Sequence, residues 1–223
     1  MGSAIGEILP LALGVAISPI PIIAAILMLL SPKATGTSVG FLVGWVLGIV
    51  VAVVVFTLLS SLIPASDPDA AKPVAGVIKI VLGLALLFLA LRQWRGRPAA
   101  GAPAALPKWM SAIDSMTAVR GLLLGFVLSA VNPKNLLMGV AAGVAIGASG
   151  LDTGGVIVVT VVFVVIAASS VAVPVVAYLV AGARLQTPLE RLRGWLEHNN
   201  ATVMSILLLV IGVVVIGKGL ASF

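Results

Sequence analysis

The sequence predicts an all-α integral membrane protein with six transmembrane helices, arranged as an inverted three-plus-three repeat whose first and fourth helices are broken by proline. Three observations support this fold class. Of the 223 residues, 61% are hydrophobic and 9% are charged, whereas about a quarter of the residues in a soluble domain are charged. The hydrophobic residues form six long runs. The first run of each half carries a polar, proline-containing interruption near its middle.

Each run is long enough to cross a bilayer as a helix, which takes about 20 apolar residues. The runs cover residues 8–30, 37–62, 74–94, 119–148, 155–181 and 201–220. They are apolar on every side, whereas the strands of a transmembrane barrel alternate in polarity. The first run is too long for the core of a signal peptide and follows Glu7 without a preceding Lys or Arg, so we expect it to remain in the mature protein.

The distribution of basic residues predicts the orientation. The connections after the first, third and fifth runs carry most of them: Lys33, Arg92, Arg95, Arg97, Lys108, Arg184, Arg191 and Arg193. The other side of the membrane has Lys72, with Lys79 and Lys218 at helix ends. By the positive-inside rule, this asymmetry predicts a multi-pass protein of the cytoplasmic (inner) membrane with both termini outside. Since membrane topology accounts for the net charge of +6, we expect no nucleic-acid partner.

An odd number of spans in each half gives the two halves opposite orientations. Residues 1–95 are the first predicted three-helix repeat, 119–223 the second, and 96–118 a cytoplasmic linker. We expect the linker to contain an amphipathic helix at the membrane interface, because apolar residues recur at helical spacing at Leu106, Trp109, Met110, Ile113 and Met116. A second interfacial helix is predicted before the last span, with Thr187 as its N-cap and Pro188 at its first position.

Glycines recur at every fourth position on one face of two spans: Gly40, Gly44 and Gly48 in the second, Gly139, Gly143 and Gly147 in the fourth. Small residues at this spacing let helix backbones approach closely. We expect these faces to pack within one subunit, because six helices must pack together. The alternative is a homodimer face, and the oligomeric state stays open.

The interruptions have the chemistry of helix starts. Ser18 before Pro19, and Asn132 before Pro133, match an N-cap followed by proline at the first helical position. Each span is therefore expected to consist of two half-helices with a new N-terminus near the bilayer centre. Such an end presents unpaired N–H groups and a partial positive charge, which attract anions. Interrupted helices at corresponding places in two halves are typical of a transporter's substrate site.

The second interruption also places Lys134 within an apolar run, where a charge requires a partner or a water-filled cavity. Because the dipole of a helix N-terminus disfavours a cation, we expect Lys134 to be kept for an anionic group of the substrate. The alternative is that it binds backbone carbonyls exposed by the break. The predicted substrate-binding residues are Ser18, Pro19, Pro21, Asn132, Pro133, Lys134 and Asn135.

Several kinds of chemistry lack their residues. The six runs contain no Asp or Glu, and the chain has no cysteine. Ion coupling and hard-metal transport commonly use carboxylates, so we expect no metal and no cofactor. We also expect no enzyme activity, although a pairing of Ser129 with Lys134 is the candidate for an intramembrane enzyme. Lys79 is expected to extend its amine to the outer interface.

The motifs resemble the lysine-exporter (LysE) superfamily. The similarity lies in Pro19-Ile20-Pro21, in the glycines of the second span, and in Arg120-Gly121 leading through Leu128 to Asn132-Pro133-Lys134. The chain looks most like the actinobacterial branch, the Gap/Sap lipid-addressing proteins. This resemblance implies a six-helix inverted-repeat exporter associated with moving glycolipids such as peptidoglycolipid or sulfolipid toward the cell surface.

One departure bears on the substrate. Amino-acid exporters of the superfamily tend to have Asp after the second-span glycine, where this chain has Ile49 and Val50. The sequence therefore predicts export of a polar lipid or an anionic small molecule. The expected partners are membrane lipid, a small-molecule or glycolipid substrate, and either a second copy of the chain or a lipid-export machinery. The alternatives are an amino-acid or small-metabolite exporter and a non-transporting accessory subunit of a lipid-export machine.

Overall fold

The structure is a computed structural model that describes residues 1–61, 73–97, 110, 113 and 115–223. The described chain is helical, as predicted. Its helices are α1 (Gly2–Ala16), α2 (Pro19–Leu29), α3 (Ala34–Ser61), α4 (Pro73–Arg95), α5 (Ala118–Ala130), α6 (Pro133–Gly147), α7 (Thr153–Ala181) and α8 (Gln186–Leu220), with a 3-10 turn at Gly182–Leu185. Most of the predicted 96–118 linker and its amphipathic helix lies outside the described residues, although Met110 and Ile113 are described and buried.

Among the described residues, four helices are long and apolar enough to cross a membrane: α3, α4, α7 and α8. Two further pairs pass the same test together, α1 with α2 and α5 with α6, and they bend by 51° and 62°. The predicted breaks in the first and fourth runs are thus confirmed. The chain is a membrane protein, and its described residues contain four helices able to cross a bilayer, or up to six spans if each bent pair is one span.

The outward faces of these helices are apolar. Phe88, Val165 and Val180 are 66%, 63% and 85% exposed, whereas the large aromatic rings of Phe41 and Trp45 are fully buried and stacked on each other. An apolar side chain on the surface is favourable where its solvent is hydrocarbon. The exposed surface therefore fits a bilayer.

Glycines bring α3 against α5 and α6. A Cβ on Gly44 would overlap the carbonyl oxygen of Leu122 in α5, and one on Gly143 of α6 would lie 2.7 Å from the Cβ of Phe56 in α3. The same contact recurs along α3 in chain order, so α5 and then α6 run parallel to it. The predicted close packing is confirmed within the chain. Because these glycine faces are covered, they cannot form a homodimer interface.

A second glycine contact joins α4 and α8. Gly76 faces Gly219, and Gly83 faces Gly212, so the two helices run antiparallel with their backbones close together. The sequence analysis did not single out these four glycines, because they are spaced seven residues apart. Their contacts make α4 and α8 a tightly packed pair.

The predicted separate interfacial helix at Thr187 is wrong. The last helix runs without interruption from Gln186 to Leu220, and Leu185 rather than Thr187 is its N-cap. No Gly or Pro lies between Trp195 and Ala201 to end a helix, and an ion pair four residues apart, Arg193 with Glu197 at 2.6 Å, supports that stretch. At 1.5 Å per residue, 35 residues extend about 52 Å.

Candidate functional site

Ser18 lies at the first break and is the N-cap residue of α2, as predicted, but its side chain makes no capping hydrogen bond. The hydroxyl donates to the carbonyl of Val15 at 2.6 Å, in the last turn of α1. The reason lies in the following residues, since Pro19 and Pro21 have no N–H to offer and the N–H of Ile22 already bonds the Ser18 carbonyl at 3.2 Å. The Ser18 hydroxyl therefore closes the end of α1 instead of the start of α2.

The second break follows the predicted capping chemistry. The Asn132 side-chain oxygen accepts a hydrogen bond from the backbone N–H of Lys134 at 3.1 Å, and Pro133 occupies the first helical position. The N–H of Leu136 bonds the Asn132 carbonyl at 2.8 Å. Asn132 is thus the N-cap of α6.

These contacts leave few free donors at either helix start. Among the described residues, the unpaired N–H groups of the first turns are those of Ile20 in α2 and Asn135 in α6. The sequence had led us to expect a cluster of such groups facing an anion. Proline at the starts of both helices has no N–H, and the Asn132 cap pairs another one. Because few free N–H groups are left, the helix ends alone form no anion site.

Lys134 reaches across to the other break. Its side chain is buried, at 7% exposure, and its amine donates to the carbonyls of Gly14 at 2.7 Å and Ile17 at 3.2 Å and to the hydroxyl oxygen of Ser18 at 2.5 Å. These carbonyls belong to the C-terminal end of α1, where they lack helical partners and where the dipole favours a cation. The structure therefore shows the alternative arrangement, in which Lys134 binds backbone carbonyls that the break exposes.

Asn135 likewise binds a backbone carbonyl near a break, this time in the second interrupted span. Its amide nitrogen donates to the carbonyl of Leu128 near the end of α5 at 2.9 Å, and its amide oxygen lies 3.2 Å from the Ser18 hydroxyl. The residue is 2% exposed. Ser18, Lys134 and Asn135 thus join the two breaks directly, as expected for interruptions that meet inside the protein.

A pocket of about 280 Å³ opens beside this junction; we call it the break pocket. Six of the seven predicted site residues line it: Ser18, Pro19, Pro21, Asn132, Pro133 and Lys134. Asn135 lies behind the wall and does not line it. The opposite wall comes from α4 and α8 and consists of Leu89, Arg92, Gln93, Met204 and Leu208, with Ile20 of α2 completing the lining.

The sequence analysis missed two polar members of this pocket. Arg92 was counted among the charges of the connections because it lies near the end of α4. Its spacing carries a signal, since Leu89, Arg92 and Gln93 are three and four residues apart and share one helix face. Because Arg92 and Gln93 share a helix face with the apolar Leu89, this pattern indicates a partly buried helix surface rather than a loop.

Two other predicted residues make different contacts. The Ser129 hydroxyl bonds back to the Gly125 and Phe126 carbonyls of its own helix, each at 3.0 Å, and so does not pair with Lys134. The Lys79 amine lies 2.5 Å from the Glu7 carboxylate, a partner that the sequence did not suggest. Both pairings depend on which helices pack together, which the sequence does not reveal.

The hydroxyl that does contact Lys134 is that of Ser18. It donates to the Val15 carbonyl and accepts a hydrogen bond from the Lys134 amine. The contact therefore ties the start of α6 to the end of α1.

Within the described residues, no group of three or more His, Cys, Asp or Glu side chains could hold a metal ion. Residues 8–221 match the family model SfLAP, described as Sap, sulfolipid-1-addressing protein. No curated protein and no solved structure matches the chain.

Proposed function

Because the chain belongs to the family of Sap, sulfolipid-1-addressing proteins, we propose that it exports a polar lipid or an anionic small molecule across the cytoplasmic membrane. The observation that carries the proposal is the break pocket. There the polar residues of two interrupted helices face a wall from α4 and α8 that combines the apolar side chains of Leu89, Met204 and Leu208 with the polar ones of Arg92 and Gln93. A cavity of this kind suits an amphiphile, because one end of the ligand needs hydrogen-bond donors and the other needs apolar surface.

We propose six spans in an inverted three-plus-three repeat, with both termini outside. Two contacts support this topology. The bent pair α5–α6 follows α3 along its length in the same direction, and α4 runs antiparallel to α8, as spans two and four, and three and six, would in such a repeat. The basic end of α4 and Arg184 in the turn after α7 then face the cytoplasm, and the break pocket opens toward the side that carries Arg92.

An amino-acid exporter is less well supported. No Asp or Glu is among the residues that line the break pocket, so a substrate ammonium would meet two cations, Arg92 and Lys134, without a counter-charge. An accessory role in a larger lipid-export machine stays a distinct alternative. The two roles can be told apart by experiment, because an accessory subunit on its own moves no lipid, whereas a transporter does.

The test is lipid movement by the purified protein. We expect phosphatidylcholine vesicles containing the protein to move a fluorescent sulfated glycolipid between leaflets faster than protein-free vesicles, as measured by chemical quenching of the outer leaflet. Equal rates with and without protein would refute transport by this chain alone and favour the accessory role. A comparison of surface lipids in cells with and without the protein would then identify the natural substrate.

Filling the break pocket should stop this movement. We expect Met204→Trp to slow lipid flux at least tenfold, because the larger side chain occupies space beside the break junction, and overpacking a buried site costs about 1–3 kcal/mol. The matched control is Val210→Trp, which places the same ring on an exposed face of the same helix. Equal flux in the two variants, both folded, would show that the substrate passes elsewhere.

A further inference from the structure

We propose that Arg92, at the end of α4, is the residue that recognises the anionic headgroup of the substrate. The inference rests on the proposed transport function and names the specificity-determining residue of the same pocket. It assigns recognition to α4, whereas the sequence had pointed to Lys134 on α6.

The N–H donors of Lys134 have partners within the protein. An ammonium group has three N–H donors, and those of Lys134 are directed at Gly14, Ile17 and Ser18. Releasing one of them would leave a carbonyl at the end of α1 without a partner, which is costly in a buried site. In this conformation Lys134 supplies positive charge to the break pocket but no hydrogen bond.

Arg92 is available to a ligand. It is exposed at the mouth of the pocket, and among the described residues its guanidinium has no ion-pair or hydrogen-bond partner. A guanidinium is planar and always charged, and two of its N–H groups match two oxygens of a sulfate or phosphate. Gln93 lies next to it in the lining and adds a neutral amide. Arg92 is therefore the available bidentate donor.

The rest of the pocket lining suits an amphiphile. The lining combines two cations with no carboxylate, and its remaining wall near Arg92 is made by Leu89, Met204 and Leu208. Charge complementarity selects an anion, and the apolar wall accommodates the alkyl part of an amphiphile. A free inorganic anion would leave that wall without a partner.

The test compares two labelled glycolipids, one sulfated and one with the sulfate removed, in vesicles containing wild-type protein, Arg92→Gln or Arg92→Lys. We expect Arg92→Gln to lower the flux of the sulfated lipid by about 10- to 100-fold, because the loss of one charge-assisted hydrogen bond weakens binding by about this factor. Flux of the desulfated lipid should stay within about twofold. Arg92→Lys, which keeps the charge but loses the planar fork, should fall between. Arg95→Gln, an exposed arginine on the same helix end that does not line the pocket, is the matched control.

The outcomes separate this inference from the proposed function. If wild-type protein moves neither lipid, the transport function fails. If wild-type protein moves the sulfated lipid and folded Arg92→Gln moves it equally fast, recognition by Arg92 is refuted. Inorganic sulfate alone serves as a further arm, and inhibition of wild-type flux at low millimolar sulfate would contradict the need for an amphiphile.

We infer a second device from an independent observation at the other end of α1. Glu7, Lys79 and Lys218, which we call the Glu7 cluster, join α1 to the α4–α8 pair. The Lys79 amine lies 2.5 Å from the Glu7 carboxylate, and the Lys218 amine donates to the Glu7 carbonyl at 3.2 Å. We propose that the Glu7 cluster is the contact that closes the pathway on the side opposite the break pocket.

The α4–α8 pair is placed differently against α1 at its two ends. At the end that carries Leu89 and Met204, α4 and α8 stand apart from α1 and α2 across the break pocket. At the other end the same helices are tied to α1, and the space beneath Glu7 shrinks to a cavity of about 10 Å³, which is about one water molecule. Opening this end requires the pair to separate from α1 and the Lys79–Glu7 contact to break.

A cross-link tests this device, and the chain is suited to it because it contains no cysteine. In the double variant Glu7→Cys/Lys79→Cys, a reducible bis-maleimide should abolish lipid flux, and reduction should restore it to the level before cross-linking. Single variants treated with the reagent are the controls, and their flux should not change on reduction. Unchanged flux in the fully cross-linked double variant would refute a closing role.

Discussion

Lys134→Met should abolish lipid flux and lower the stability of the folded protein by about 3 kcal/mol or more. Met has a similar length but no donor, so the carbonyls of Gly14 and Ile17 and the Ser18 hydroxyl oxygen would lose their partner. Each buried polar group left unsatisfied costs about 1–3 kcal/mol. The end of α1 would no longer be tied to α6, and the wall of the break pocket would lose its shape.

The measurement is lipid flux together with thermal unfolding in detergent. Lys33→Met makes the same chemical change at an exposed lysine in the connection between α2 and α3, and it should leave both quantities unchanged. If Lys134→Met keeps wild-type flux and unfolds at the wild-type temperature, then the bonds from Lys134 to α1 contribute nothing.

Gly44→Ala should destabilise the fold by about 3 kcal/mol, although alanine is the better helix former. The added Cβ would overlap the carbonyl oxygen of Leu122, and a backbone atom within a helix cannot rotate away as a flexible side chain can. The whole contact between α3 and α5 would have to widen, and contacts along its length would be lost.

Gly36→Ala is the matched control on the same helix. A Cβ there would lie 4.0 Å from the nearest atom, the Cβ of Ala118, so we expect no loss and a gain of up to about 1 kcal/mol from helix propensity. Trp45 is buried on α3 and stacked on Phe41, so its fluorescence reports on this interface during unfolding. Equal unfolding temperatures for the two variants would show that the close approach at Gly44 is not needed.

Local signals in the sequence predicted the breaks well. Proline next to Ser18 and Asn132 marks a place where an apolar helix cannot continue, and the structure bends at both places. The same local rules assigned the Asn132 cap correctly. They failed for the Ser18 side chain, because a cap needs an N–H to bind and the prolines after Ser18 remove most of those donors.

Contacts between distant helices were beyond local signals. The burial of Lys134 was predictable from its depth, but the identity of its partners depends on α1 lying beside α6, more than a hundred residues away in sequence. Arg92 was assigned to a connection for the same reason, since its inclusion in the pocket depends on how α4 packs. Residue type and periodicity predict which polar groups need hydrogen-bond partners. The identity of those partners depends on how the helices pack.

The two bends also give the protein an adjustable length. At 1.5 Å per residue, straightening the 51° bend between α1 and α2 would lengthen that element by about 4 Å, and straightening the 62° bend between α5 and α6 would add about 6 Å. Cell membranes differ in hydrocarbon thickness by a similar amount, about 5 Å. Because Lys134 and Asn135 bond the two breaks to each other, a membrane thick enough to change either bend would also change the break pocket.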